Sequence, residues 1–286
     1  MVLAWSGCGE SLSSRSDGGV TPDVPVELGD AGEPDSATNN FQDDLGRRDA
    51  VTICSGICNA AAPSYPAIGN GAGQGNITMY TTEASSGGAC NYGPTKVVYF
   101  AAVNVNIAPG DGQGQWQGGR VCGQCLEVTA LTTRGPQSVV VRIMDKCPDG
   151  YCGVDLGGLA PTAIMLDGFG RYDGTWRFVS CSGHPEVSDG PTTLSVSPGA
   201  NAYWSRVQVR NPPGAVDSIA WLDSQGASGV FPFATDPEGT FQVPPSVMQS
   251  TVATLAVTAR FSDGTSAAVS LRPGQLAEEN ATYAMK

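Results

Sequence analysis

Asp145 and Asp155 stand ten positions apart within one stretch, residues 142–155 (RIMDKCPDGYCGVD). Asp145 ends an apolar run, SVVVRIM, whose length and β-branched content predict a buried strand. Asp155 opens the next ordered piece, DLGGL. Between them, Pro148-Asp149-Gly150 is a turn flanked by Cys147 and Cys152. If those cysteines pair, a short loop holds the two carboxylates near each other. Two acids at one rim are what glycoside chemistry uses, one as proton donor and one as base or nucleophile. The stretch alone leaves a second reading open, a pair of solvated loop aspartates.

The elements that must carry these acids are strands. The chain of 286 residues has 38 glycines, 20 prolines and only 15% charged residues, which favours strands and turns over helices. Its length suits two modest domains and a tail. The net charge is −12. Ten acids and three arginines among the first fifty residues supply −7 of it. An acidic surface argues against nucleic acid and anionic polymers as partners, and a neutral polymer fits better. Eight of the nine cysteines lie between Cys54 and Cys181. That density reads as a disulfide framework in an exported protein. Cys122-x-x-Cys125 has zinc-ligand spacing, but no second such pair exists and the single histidine, His184, is far along the chain. No metal and no cofactor is expected.

Residues 1–8 (MVLAWSGC) look like the end of a bacterial lipoprotein signal, with Cys8 as the lipid-bearing residue; a free tail cysteine is the alternative. Residues 9–50 read as a disordered acidic linker, so residues 1–50 form a signal-like start and tether. Residues 51–183 form a first domain with an N-terminal extension holding Cys54 and Cys58. Its strand candidates begin at Ile77 and end with WRFVSC (176–181), and a short helix is expected near Pro161. After a link, residues 187–286 form a second domain of about seven short strands without cysteine. There, residues 255–261 and 266–271 predict a hairpin turning at Asp263-Gly264. Alternation along residues 203–210 (YWSRVQVR) puts Val207 and Val209 on the core face. Trp204 then shares a face with Arg206, Gln208 and Arg210, as an exposed platform for a sugar ring.

TMY (78–80), GGACNYG (87–93), CGQCLEV (122–128), the Asp145–Asp155 stretch and WRFVSC follow one another in order. This series resembles the first domain of expansins and bacterial expansin-like proteins. YWSRVQVRN (203–211) is similar to the strand that bears the binding aromatics of the expansin second domain. The resemblance spans about residues 75–275 and implies an all-β protein: a six-stranded double-psi β-barrel, then an immunoglobulin-like β-sandwich, a carbohydrate-binding module of family 63. It implies a non-enzymatic, secreted protein that binds cellulose or a related neutral β-glucan and loosens plant walls; a monomer is expected. A weak endoglucanase and a plain carbohydrate-binding protein are the alternatives.

By the same resemblance, Asp155 matches the general acid of related endoglucanases, and Asp145, Thr78 and Tyr80 line the groove. The catalytic base falls at Thr82, which has no useful basicity, and Glu83 is one position on. Gly153-Val154 stands where plant expansins have His-Phe. Trp204 and Tyr203 match two platform aromatics, which requires a strand end or bulge there. The third has no clean match; Phe231, Phe233 and Phe241 are candidates, and Trp221 is a weaker one. The implied disulfides join Cys90 to Cys122 and Cys125 to Cys181, leaving Cys147 with Cys152 and Cys54 with Cys58 as local bridges.

Overall fold

The fold is described from a computed structural model, over residues 72–286 apart from 82, 107–113, 167, 169 and 235–238. The acidic tether, Cys8, the Cys54–Cys58 bridge and Thr82 therefore lie outside the described residues.

Six strands make the first half: β1 (Ala72–Met79), β2 (Tyr99–Asn104), β3 (Cys125–Thr132), β4 (Gly135–Cys147), β5 (Cys152–Gly158) and β6 (Tyr172–Val179). They close in the order β1-β5-β2-β4-β3-β6, with parallel β1/β5 and β2/β4 pairs inside an otherwise antiparallel ring. This is a double-psi β-barrel. The apolar run before Asp145 is the middle of β4, and α1 (Ala160–Ala163) is the expected short helix. Ile77, Phe100, Leu126, Val141, Ile143 and Leu156 fill the barrel. The tryptophan of β6, Trp176, is buried, and its indole N–H donates to Gln115 Oε1 at 2.7 Å. It packs inside the barrel.

Nine strands make the second half, in two sheets. One sheet holds β7 (Thr193–Val196), β8 (Ser205–Arg210), β11 (Phe233–Ala234), β12 (Thr240–Val243) and β15 (Thr282–Ala284), in the order β11-β12-β8-β7-β15. The other holds β9 (Val216–Asp223), β10 (Ser228–Phe231), β13 (Leu255–Phe261) and β14 (Ser266–Leu271), in the order β10-β9-β13-β14. Leu194, Val207, Val209, Ile219, Val257 and Phe261 form a second core between them. This is a β-sandwich. The β13–β14 hairpin turns at Asp263-Gly264 (Gly264 φ 82°), where Asp263 Oδ1 accepts the N–H and the hydroxyl of Thr265.

Arg142 of β4 joins the two halves. It is buried, and its guanidinium donates to the carbonyls of Gly123 in the barrel, Val187 in the link and Pro212 beside the sandwich. Burial lowers its pKa to about 10, against the opposing pull of Tyr92 and Asp189. Arg210 and Gln208 of β8 add donors to the Tyr92 and Cys90 carbonyls of the barrel.

Candidate functional site

The two acids sit in one row across the barrel wall. Asp155 on β5 pairs with Thr78 on β1 and, on its other side, with Ala102 on β2. Ala102 in turn pairs with Asp145 on β4. The row is therefore Thr78, Asp155, Ala102, Asp145, with a buried alanine between the acids. Each acid follows a bulge: Gly153 is skipped in the β1/β5 register and Met144 in the β2/β4 register. A bulge re-aims the side chains that follow it, and both aspartates are partly exposed.

Thr78 donates its hydroxyl to Asp155 Oδ1 at 2.6 Å. Asp155 is half-buried. Desolvation pushes its pKa up, the charges of Asp149 and Asp145 push the same way, and the Thr78 hydrogen bond pulls it down; the net shift is upward. A carboxyl held toward its neutral form is suited to donating a proton or a hydrogen bond. Asp145 is used differently. Its Oδ1 accepts the backbone N–H of Ala89 and of Lys146, both at 2.9 Å. The first of these bonds holds the turn of the GGACNYG motif. That turn needs Gly88 at φ 50°, where a Cβ would lie 2.7 Å from Asp145 Cγ.

Tyr80 follows β1 and borders the same rim. It is 37% exposed, its ring meets Phe100 edge-on at 6.1 Å, and burial followed by the charges of Asp145 and Asp155 raises its pKa. Glu83 is exposed, and the carboxylates whose charge reaches Asp155 are Asp149 and Asp145. The departure at Gly153 has a packing cause. A Cβ there would lie 2.6 Å from the Asn76 carbonyl oxygen and 2.7 Å from the Trp176 ring.

Cys90 is joined to Cys122, Cys125 to Cys181 and Cys147 to Cys152. Cys122 and Cys125 thus have different partners. The Cys147–Cys152 bridge lies beside the acid: its two sulfurs and an Asp155 carboxylate oxygen lie within 4.8 Å of one another.

Tyr203 and Trp204 lie in the turn that leads into β8. Asn201 Oδ1 accepts both their N–H groups, at 2.9 and 3.1 Å. This strand end frees both rings from the alternation of β8. Tyr203 is 79% exposed, and Trp204 is half-buried with the Arg206 guanidinium 5.4 Å from its ring centroid. Arg210 and Gln208, expected on the platform face, turn onto the barrel instead, so the platform is short. None of the sequence candidates supplies a third aromatic. Phe231 and Phe241 are in the sandwich core, Trp221 packs against that core from β9, and Phe233 lies edge-on to Phe241 under the Arg120 guanidinium at 4.8 Å. Sequence reasoning missed a cleft of about 700 Å³ that runs from Gly88 and Asn91 on the barrel to Trp204 and Ser197 on the sandwich. Its walls come from loops distant in sequence, so no local pattern announces it.

Residues 75–158 match the family model described as EXPB1-like domain 1. No curated protein matches the sequence. Among solved structures, the chain is similar to the apo form of an expansin from Clavibacter michiganensis, with 21% identity, 70% of this chain and 90% of that one covered, and a TM-score of 0.53. It is equally similar (20% identity, the same coverage and TM-score) to an Asp-to-Asn mutant of the Clavibacter michiganensis expansin in complex with cellohexaose. Residues 75–158 are thus similar to the first domain of the expansin family, and the two-part fold is similar to that of the bacterial expansin structures.

Proposed function

We propose that this protein binds cellulose or a related neutral β-glucan and loosens its packing without hydrolysis. The observation that carries this reading is the unequal use of the two acids. Asp155 is held toward its protonated form, while Asp145 is engaged by two backbone N–H groups. An inverting hydrolase needs a free base opposite the acid to activate water. Here the second carboxylate clamps a turn, and losing general-base help costs about 10²–10⁴-fold in rate. What remains is a groove with one hydrogen-bonding acid, bordered by Tyr80 and continued by the cleft toward Trp204. The complex of a related expansin with cellohexaose supports the ligand class. Three disulfides support export to an oxidising compartment. Among the described residues, no helix is long and apolar enough to cross a membrane.

The raised pKa of Asp155 favours one competing reading, a weak endoglucanase with Asp155 as acid. Pull-down on microcrystalline cellulose, with reducing-sugar release from amorphous cellulose on the same sample, separates the two. Binding with no sugar release is expected. Steady sugar release overturns the non-hydrolytic reading, and absence of binding overturns the ligand class.

A further inference from the structure

Tyr151 is the last residue of the Cys147–Cys152 loop, next to Cys152, and is 64% exposed. Exposed tyrosines are common, but this one has its backbone fixed on every side. The disulfide closes the loop at both ends. Its N–H donates to Asp149 Oδ1 at 3.0 Å, and its carbonyl accepts from Asn76 Nδ2 at 2.8 Å. The next N–H, of Cys152, donates to the Asp149 carbonyl at 3.1 Å. One side of the ring is backed by Arg171, whose guanidinium carbon lies 5.6 Å from the ring centroid and which is paired with Asp149 at 3.0 Å. The loop thus holds an aromatic ring at a set position and leaves much of it in solvent.

The same β1 strand places this ring relative to the acid. Asn76 bonds the Tyr151 carbonyl and Thr78, two residues on, bonds Asp155. Side chains two apart on a strand are about 7 Å apart on one face. The disulfide that closes the loop has both sulfurs within 4.8 Å of an Asp155 carboxylate oxygen. Tyr151 therefore lies one step along the strands from the Thr78–Asp155 pair, next to the Cys147–Cys152 bridge.

We propose that Tyr151 is a stacking subsite for a glucan residue at this end of the barrel groove; the proposal rests on the glycan-binding reading above. The C–H face of a β-glucan ring is apolar and fits an aromatic ring of this exposure. A ring whose backbone is already fixed loses little entropy on binding. The Arg171–Asp149 pair beside it offers charged donors and acceptors to the sugar hydroxyls.

Titration calorimetry of the full chain with cellohexaose tests this. To isolate the barrel, the comparison is made in a Tyr203→Ala/Trp204→Ala background, beside wild type. Adding Tyr151→Ala is expected to weaken binding about five- to tenfold, and Tyr151→Trp is expected to keep it. Equal affinity for the background and its Tyr151→Ala variant overturns the subsite alone. Wild-type binding with none left in the background also overturns it, because the barrel then supplies no measurable affinity. No binding by wild type overturns the glycan reading together with the subsite.

Discussion

Asp145 and Asp155 pair with the same residue, Ala102, from its two sides. They are therefore two strands apart, or about 10 Å between backbones at the usual spacing. A retaining glycosidase brings its carboxyls to about 5–5.5 Å and an inverting one to about 6.5–9.5 Å. That backbone spacing is wide for a retaining pair, and the sequence resemblance puts the catalytic base at Thr82 and not at Asp145. Asp145 Oδ1 instead accepts the Ala89 and Lys146 N–H groups.

The upward pKa shift of Asp155 carries a stability cost. Its folded pKa is raised above the ordinary 3.8, so the folded chain holds this proton more tightly than the unfolded chain. Stability then falls as pH rises from about 3.8 through the folded pKa. Asp155→Asn is expected to raise the melting temperature near neutral pH, and the gain is expected to vanish below pH 3.8. Calorimetric melting of both proteins across pH checks this. A variant that melts lower than wild type at neutral pH contradicts it.

Thr78→Val removes the hydroxyl that favours the charged form of Asp155. With little change in volume, it is expected to raise the pKa of Asp155 further. Carboxyl-carbon NMR titration of the two proteins reads the change. An unchanged or lowered pKa means that the 2.6 Å bond does not bias the acid.

Trp204→Ala is expected to lower cellulose affinity by about 2 kcal/mol, the usual loss of one aromatic anchor. Tyr203→Ala is expected to cost less, because its ring lacks the Arg206 backing that Trp204 has. Salt is expected to have little effect, since the ligand is neutral. Pull-down at low and high ionic strength measures all three. Full binding by Trp204→Ala places the platform elsewhere.

Arg142→Leu leaves the Gly123, Val187 and Pro212 carbonyls without their buried donor. Leaving a buried acceptor without its donor costs about 1–3 kcal/mol. Urea unfolding is expected to show a loss of that size. A loss below about 1 kcal/mol, the scale of an exposed pair, means that Arg142 does not hold the two halves together.

Much of this was legible in the chain. The run before Asp145 announced β4, the alternation around Val207 announced β8, and Asp263-Gly264 announced its hairpin, because each is a local pattern. The bulges at Met144 and Gly153 were not legible, since a bulge is a relation between two strands and leaves no mark in one. Gly153 shows the limit well: in sequence it is only a departure from the His-Phe of plant expansins, yet its cause is the Trp176 ring. Gln208 and Arg210 were expected on a sugar-facing surface because polarity suggests solvent. Their partners are barrel carbonyls, which no local pattern encodes. The role of Asp145 as a clamp also depends on a turn more than fifty residues away.

The central claim is that Asp155 acts without hydrolysis. Creep of a heat-killed plant wall strip, measured with sugar release for wild type and Asp155→Asn, tests it most directly. The account predicts creep with no sugar release for wild type, and no creep for Asp155→Asn at undiminished cellulose binding. Sugar release by wild type that disappears in Asp155→Asn would contradict it, and so would unchanged creep in the mutant.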